Sequence, residues 1–243
     1  MKKQFLILAA FAITIFQFWG CDKDDDSSGT IKGSGTYMDV NYSYNNFSQI
    51  DVSDALIANI HEADSFYVQI TVDDNLAKYL DVFTTGDWLV ISLEDGRNYK
   101  FGSITAEIYM PNITDLKGRG ASMSSINGFS ELSDLSLNLS GASIFGGMIG
   151  VENWNVELSG ASEMNVGGFA TNLSLYGSGA SIINIGSFEV NVADLDLSGA
   201  SVATIFVLDH LDAKLSGASV LKYYGDPVLG NIDISGASVL TKL

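Results

Sequence analysis

Apolar and polar residues alternate along this chain in short runs that return at an almost constant distance. The runs are punctuated by Ser-Gly-Ala-Ser or a close variant, whose glycines are Gly120, Gly141, Gly160, Gly179, Gly199, Gly217 and Gly236, at intervals of 21, 19, 19, 20, 18 and 19 residues. Two residues before each glycine after the first stand Leu139, Leu158, Gly177, Leu197, Leu215 and Ile234. Four before stand Leu137, Val156, Leu175, Leu195, Ala213 and Ile232, and six before stand Leu135, Trp154, Leu173, Ala193 and Leu211. The positions between them are polar: Asn138, Glu157, Tyr176, Asp196, Lys214 and Asp233 form one column, and Ser136, Asn155, Ser174, Asp194, Asp212 and Asn231 the next. Period-two alternation marks a half-buried strand. Its recurrence at the same offsets predicts strands stacked in parallel and in register, with the apolar columns inside. A period of about 20 residues means a solenoid, in which no single repeat can bury its own apolar side. The expected fold is all-β, a single-stranded, right-handed parallel β-helix (β-solenoid), the hand following the rule for parallel crossovers. A helical or leucine-rich solenoid is disfavoured, because no repeat holds ten residues of helical period and Gly, Ser, Asn and Val crowd the strands.

Each Gly-Ala pair predicts a corner. Glycine enters positive φ without a Cβ clash, and the alanine after it is small enough for a tight bend. The serines two residues after each glycine, from Ser122 to Ser238, are placed to stack as a ladder of hydroxyls that satisfies backbone groups at the bend. A second apolar run follows, as in Ile182–Ile185 and Val202–Ile205. A second corner is marked by Gly128-Phe129, Gly168-Phe169 and Gly186 with Phe188. Two or three strands fit within each coil.

Residues 37–117 are β-rich but irregular, and 118–243 form the regular repeats. Phe66–Val72 and Ile104–Ile108 alternate cleanly, and Trp88–Leu93 follows a Thr-Gly-Asp turn like one arm of a hairpin. Only Asp74–Leu80 suggests a helical turn. Val52–Ile60 aligns with Gly177–Ile185 as a decayed copy of the repeat. Residues 37–117 are therefore expected to be an irregular N-terminal β cap and first coils of the same solenoid. The Val-Ser-Asp-Ala segment at 52–55, Asp-Asn-Leu-Ala-Lys-Tyr-Leu at 74–80, the strand Trp88–Leu93 and the Ser-Gly-Ala-Ser series together resemble the putative auto-transporter adhesin, head GIN domain family. That resemblance implies a secreted β-helical protein, often a lipoprotein, with an adhesin-like role.

The amino terminus supplies an address. Lys2 and Lys3 precede an apolar run from Phe5 to Trp19, too short and wrongly flanked for an ordinary membrane span, so residues 1–20 read as a secretory signal peptide. Cys21, the only cysteine, follows directly, and the arrangement resembles a bacterial lipoprotein processing site where the thiol takes a diacylglyceryl group. Residues 21–36 read as an acidic, then Gly/Ser-rich tether. Asp22, Lys23 and Asp24 to Asp26 resemble a surface-export signal of Gram-negative lipoproteins; Asp22 alone would instead suggest retention at the inner membrane. The expected location is the outer membrane, lipid-anchored and facing the exterior. The chain has 29 acidic residues against 12 Lys and Arg, a formal charge of −17. Removing the signal removes two lysines and no acid, which leaves −19. Such a balance opposes nucleic acid and anionic headgroups.

Chemistry is sparse in the pattern. No zinc spacing, P-loop, dinucleotide fingerprint or nucleophile elbow occurs, and no cofactor is expected. His61 and His210 are far apart in sequence and read as surface or satisfied residues. Asp194, Asp196, Asp212 and Asp233 fall on one outer face over three successive coils, with Lys214 among them. Their spacing could suit a calcium ion or paired carboxylates, but the favoured reading is a solvated strand exterior in which Lys214 relieves the repulsion. Three functions remain: a non-catalytic surface module that binds glycan or protein, a glycan-active lyase or hydrolase using the acidic face, and an ice-binding protein using flat hydroxyl ladders. The final coil, Asn231–Leu243, presents a pairing edge through which copies could associate end to end.

Overall fold

A computed structural model describes residues 29–243. The signal at 1–20, the Cys21 lipidation site and the acidic run at 22–26 lie outside the described residues. Seventeen strands join in one sheet that winds around a common axis. The only helical turn among the described residues is a 3-10 turn at Ala77–Tyr79, inside the segment that suggested one. No described helix is long and apolar enough to cross a membrane.

The stacked columns are those read from the sequence. Leu139, Leu158, Gly177, Leu197 and Leu215 are successive register partners, as are Leu137, Val156, Leu175, Leu195 and Ala213. All ten lie in the interior, and Trp154, the largest buried side chain, packs there beside Phe188. Side chains at i and i+2 share a face of a strand, so each coil contributes alternate residues to one continuous core.

The corners keep to glycine for two reasons. Gly199 has φ +70°, and a Cβ added to it would sit 2.5 Å from the carbonyl oxygen of Gly179 in the coil beneath. That close approach lets the Ala200 N–H donate to the Gly179 carbonyl at 2.7 Å, a bond repeated by Ala161, Ala180, Ala218 and Ala237. Earlier coils use another turn: Asp54 and Ala55, like Gly120 and Ala121, both have positive φ, the pattern of a type I′ turn. Asp54 thus occupies the glycine position of the decayed repeat.

The serines after the corner point inward. Ser143, Ser162, Ser181, Ser201 and Ser219 are fully buried, and each hydroxyl donates to the carbonyl three residues earlier, at 2.6 to 2.9 Å. The ladder satisfies the turn, as expected. It forms no outer surface, however, and so removes the flat hydroxyl face that the ice-binding reading required.

The second corner breaks the strand at Gly128-Phe129, between Met123–Asn127 and Leu132–Leu139, but only bends it in the central coils. Ile144–Leu158, Glu163–Gly177, Ile182–Leu197 and Val202–Leu215 each run unbroken from one Ser-Gly-Ala-Ser turn to the next. They bend at glycines such as Gly147 (φ +134°) and Gly168 (φ +124°), where an added Cβ would meet a carbonyl of the coil beneath at 2.0 and 1.9 Å. Phe129 and Phe188 fill the interior at this bend, whereas Phe169 points to solvent.

Stacking departs from chain order at the amino end. Gln49–Val52 and Ile57–Glu62 form a coil that pairs on one side with Asp115–Gly118 and Met123–Asn127. On its other side it pairs with Trp88–Leu93 and Thr105–Met110. The decayed repeat is therefore a genuine coil held between two later segments. Beyond it, Leu80–Thr85 closes a hairpin on Trp88–Leu93, and Tyr67–Asp73 and Tyr37–Tyr42 add antiparallel strands that finish the cap. Residues 29–36 are clasped to this cap. Ile31–Lys32 pairs with Tyr99–Lys100, the Ser34 hydroxyl donates to Asp74, and the Gly35 N–H donates to the buried Asp73.

Candidate functional site

The limb of each coil that leads into the Ser-Gly-Ala-Ser turn presents a polar face built from the two predicted columns. Register extends both columns into the cap. Trp88, Gln49 and Asp115 continue the column of Ser136, and Val90, Asp51 and Lys117 continue that of Asn138. Nine coils therefore contribute to one face, and at ~4.8 Å per step it is roughly 40 Å long.

Cross-coil bonds hold its side chains in place. Gln49 donates to Asp115 at 2.9 Å, and Asn138 donates to Glu157 at 2.9 Å. Arg119 grips Asp51 through both oxygens at 2.8 and 2.9 Å, and the Lys117 ammonium lies 4.0 Å from the centre of the Trp88 ring. Between Lys117 and Tyr176 the face sinks into a hollow of about 300 Å³, with the small Ser136 and Ser174 among its lining. Asp115, Asn138, Asn155 and Glu157 add donors and acceptors, and the half-exposed Tyr176 ring borders it. Hydroxyls, carboxamides, one ammonium and an aromatic ring in a shallow, open depression suit binding of a polar ligand.

The four predicted aspartates sit on this same face, beyond Tyr176. Asp194 and Asp212 are register partners, as are Asp196 and Lys214, and Lys214 and Asp233. They do not converge on one point. Asp196 accepts from Lys214 at 3.2 Å, and Asp212 is engaged by His210 at 3.2 Å and by the Asn231 N–H. Among the described residues no three His, Cys, Asp or Glu side chains are grouped to hold a metal ion. His61 lies elsewhere, on the coil strand Ile57–Glu62, 3.1 Å from Glu107 and stacked on Tyr109. Tyr176 stands openly in the polar column of the sequence, and Lys117, three residues before Gly120, continues that column in chain order; only the addition of Trp88 depends on the stacking order of the cap, which the chain order does not show.

A model of the family described as "Putative auto-transporter adhesin, head GIN domain" matches residues 46–227. The chain belongs to that family. This adhesin-family chain is also similar in fold to several solved structures. A putative adhesin from Bacteroides fragilis NCTC 9343 superposes with a TM-score of 0.83 at 18% identity, covering 88% of this chain and 100% of the other. A putative adhesin from Parabacteroides merdae ATCC 43184 gives 0.73 at 17% identity, covering 88% and 99%. A putative lipid binding protein from Parabacteroides distasonis ATCC 8503 gives 0.70 at 16%, with the same coverage. No match was found among curated proteins. Family membership points to an adhesion-like role at the cell surface.

Proposed function

We propose that this chain is a non-catalytic cell-surface module that holds an extended, hydroxyl-rich ligand, a glycan, along the polar face of the solenoid. The observation that carries the reading is the hollow between Lys117 and Tyr176, where donors and acceptors from four successive coils surround an open floor. In-register strands repeat such groups every ~4.8 Å, which favours a ligand that itself repeats. The name of the lipid-binding neighbour concerns a protein 16% identical to this one, and charged side chains in this hollow fit an acyl chain poorly. The glycan-active enzyme finds less support, because Asp212 is already bonded to His210 and Asn231 and Asp196 to Lys214.

The module is carried, in this reading, on the outer membrane by acyl chains on Cys21, with residues 22–28 as spacer. Two or three chains suffice for stable anchoring. A glycan array probed with the wild-type protein identifies ligands. Tyr176→Ala and Asn155→Ala should then weaken capture at least tenfold while the melting temperature holds. Undiminished capture by both variants would rule out the hollow, and capture of proteins alone would replace glycan as the ligand. Protease shaving of intact cells, compared with Cys21→Ser cells, tests the anchor: loss of membrane retention is expected in the variant.

A further inference from the structure

The limb that follows each Ser-Gly-Ala-Ser turn presents a different outer face. Its first outward column reads Met123, Ile144, Glu163, Ile182, Val202, Val220 and Val239, all register partners in sequence. Met123, Ile144, Ile182 and Val239 are each 38 to 48% exposed. The adjoining outward column, from Ser125 through Asn165, Asn184 and Thr204 to Thr241, is uncharged except for Lys222. In a chain of net charge −17 these seven coils of the face carry one carboxylate and one ammonium, and in the two cap coils that continue it the Glu107 carboxylate lies beside His61; the polar face of the other limb carries Glu157, four aspartates and Lys214 over a similar length. Depletion of charge around an apolar centre is the compositional mark of a protein interface.

We infer that this face pairs with the same face of a second copy, the two solenoids running antiparallel. The two charges decide the orientation. A twofold axis parallel to the solenoid would keep each coil beside its own copy, bringing Glu163 towards Glu163 and Lys222 towards Lys222. A twofold axis along the strand direction, passing between the levels of Ile182 and Val202, reverses the order of coils. The coil of Glu163 then faces the coil of Val220 and Lys222, and the pairing occurs twice by symmetry, as an isologous interface demands. Ile182 of each copy packs against Val202 of the other at the centre. Seven coils at ~4.8 Å and a strip two side chains wide give roughly 400 Å² of face per copy. The total is below the ~1,200 Å² of standard interfaces and in the range of transient ones. A weak, reversible dimer is the outcome, strengthened when copies are concentrated on a surface. This inference does not depend on the glycan hollow, which lies on the other limb.

Sedimentation velocity of the full chain in a mild non-ionic detergent, over a wide range of concentration, tests the pairing. A reversible monomer–dimer equilibrium is expected. Ile182→Asp should weaken it at least tenfold with an unchanged circular-dichroism spectrum. Glu163→Lys and Lys222→Glu should each weaken it severalfold, and the double variant should restore it. A monomer at every concentration would overturn the inference, as would a dimer indifferent to Ile182→Asp. Failure of the double variant to restore pairing would overturn the antiparallel arrangement. A monomer that binds phosphatidylcholine vesicles through Ile182 would assign the face to lipid.

Discussion

Leu197 and Gly177 are stacked partners, and their contact supports a quantitative test of the core. Leu197 is fully buried, and a methyl added at Gly177 would lie 2.8 Å from Leu197 Cδ2. The leucine thus fills space that the glycine of the coil beneath leaves open. Leu197→Ala deletes three carbons, a transfer loss of roughly 2.4 kcal/mol at ~0.8 per methylene. A residual void of ~50 Å³ adds about 1.2 kcal/mol, so about 3–4 kcal/mol is expected. Gly177→Ala alone should cost about 1–2 kcal/mol through overpacking. In the double variant the new methyl enters the void, where its next neighbours are Ile183 Cδ1 at 3.4 Å and Ser201 Cβ at 3.8 Å. The pair should therefore lose only about 2–3 kcal/mol, well short of the sum. Urea unfolding of wild type, both singles and the double measures this coupling. Additivity within ~0.5 kcal/mol would refute the stacked arrangement, and so would an equal loss from Asp196→Ala, whose exposed pair with Lys214 is worth at most ~1 kcal/mol.

Three further outcomes follow from the corners and the cap. Gly199→Val should lower stability by more than ~2 kcal/mol in a thermal melt, since it combines a left-handed backbone with the clash on the Gly179 carbonyl; an unchanged melt would contradict the corner. Ser181→Ala, which removes a buried hydroxyl donating at 2.7 Å to Ser178, should cost about 1–2 kcal/mol by the same assay, and a neutral result would deny the ladder a structural role. Burial first, and the neighbouring Tyr44 second, raise the Tyr42 phenol above its ordinary value of 10.0. The stability tied to its neutral form is present below pH 10 and is lost as pH climbs through the raised value. Tyr42→Phe should unfold less readily than wild type in that alkaline window, and identical profiles would exclude the contribution.

The sequence made the interior legible because every coil repeats the same offsets: Leu158, Leu197 and Leu215 could be stacked by counting from their glycines. The same counting placed Val52–Ile60 in register with Gly177–Ile185, and Val52 does pair with Gly118 and Ile57 with Met123 in that frame. Counting could not reveal that Trp88–Leu93 lies beneath Gln49–Val52, since stacking there runs against chain order. That inversion hides the extension of the polar face to Gln49 and Trp88, whereas Asp115 and Lys117, counted back from Gly120, follow the columns in chain order. The aspartates at its other end are conspicuous by residue type, but their side chains pair off separately. The second corner is a break at Gly128-Phe129 but a bend at Gly168-Phe169, where the glycine rotates the ribbon while its hydrogen bonds to the coil beneath continue on both sides.

The clasp of residues 29–36 also has a mechanical meaning. A pull applied upstream of residue 29 is borne first by the two-residue pairing of Ile31–Lys32 with Tyr99–Lys100 and by the hydroxyl and amide bonds to Asp74 and Asp73. The long ladders between coils carry no load until these few bonds have given way. Their release pays out eight residues, roughly 27 Å of slack at ~3.4 Å each. Wherever the chain is held from upstream of residue 29, these bonds act as a sacrificial link that yields before any coil is unwound.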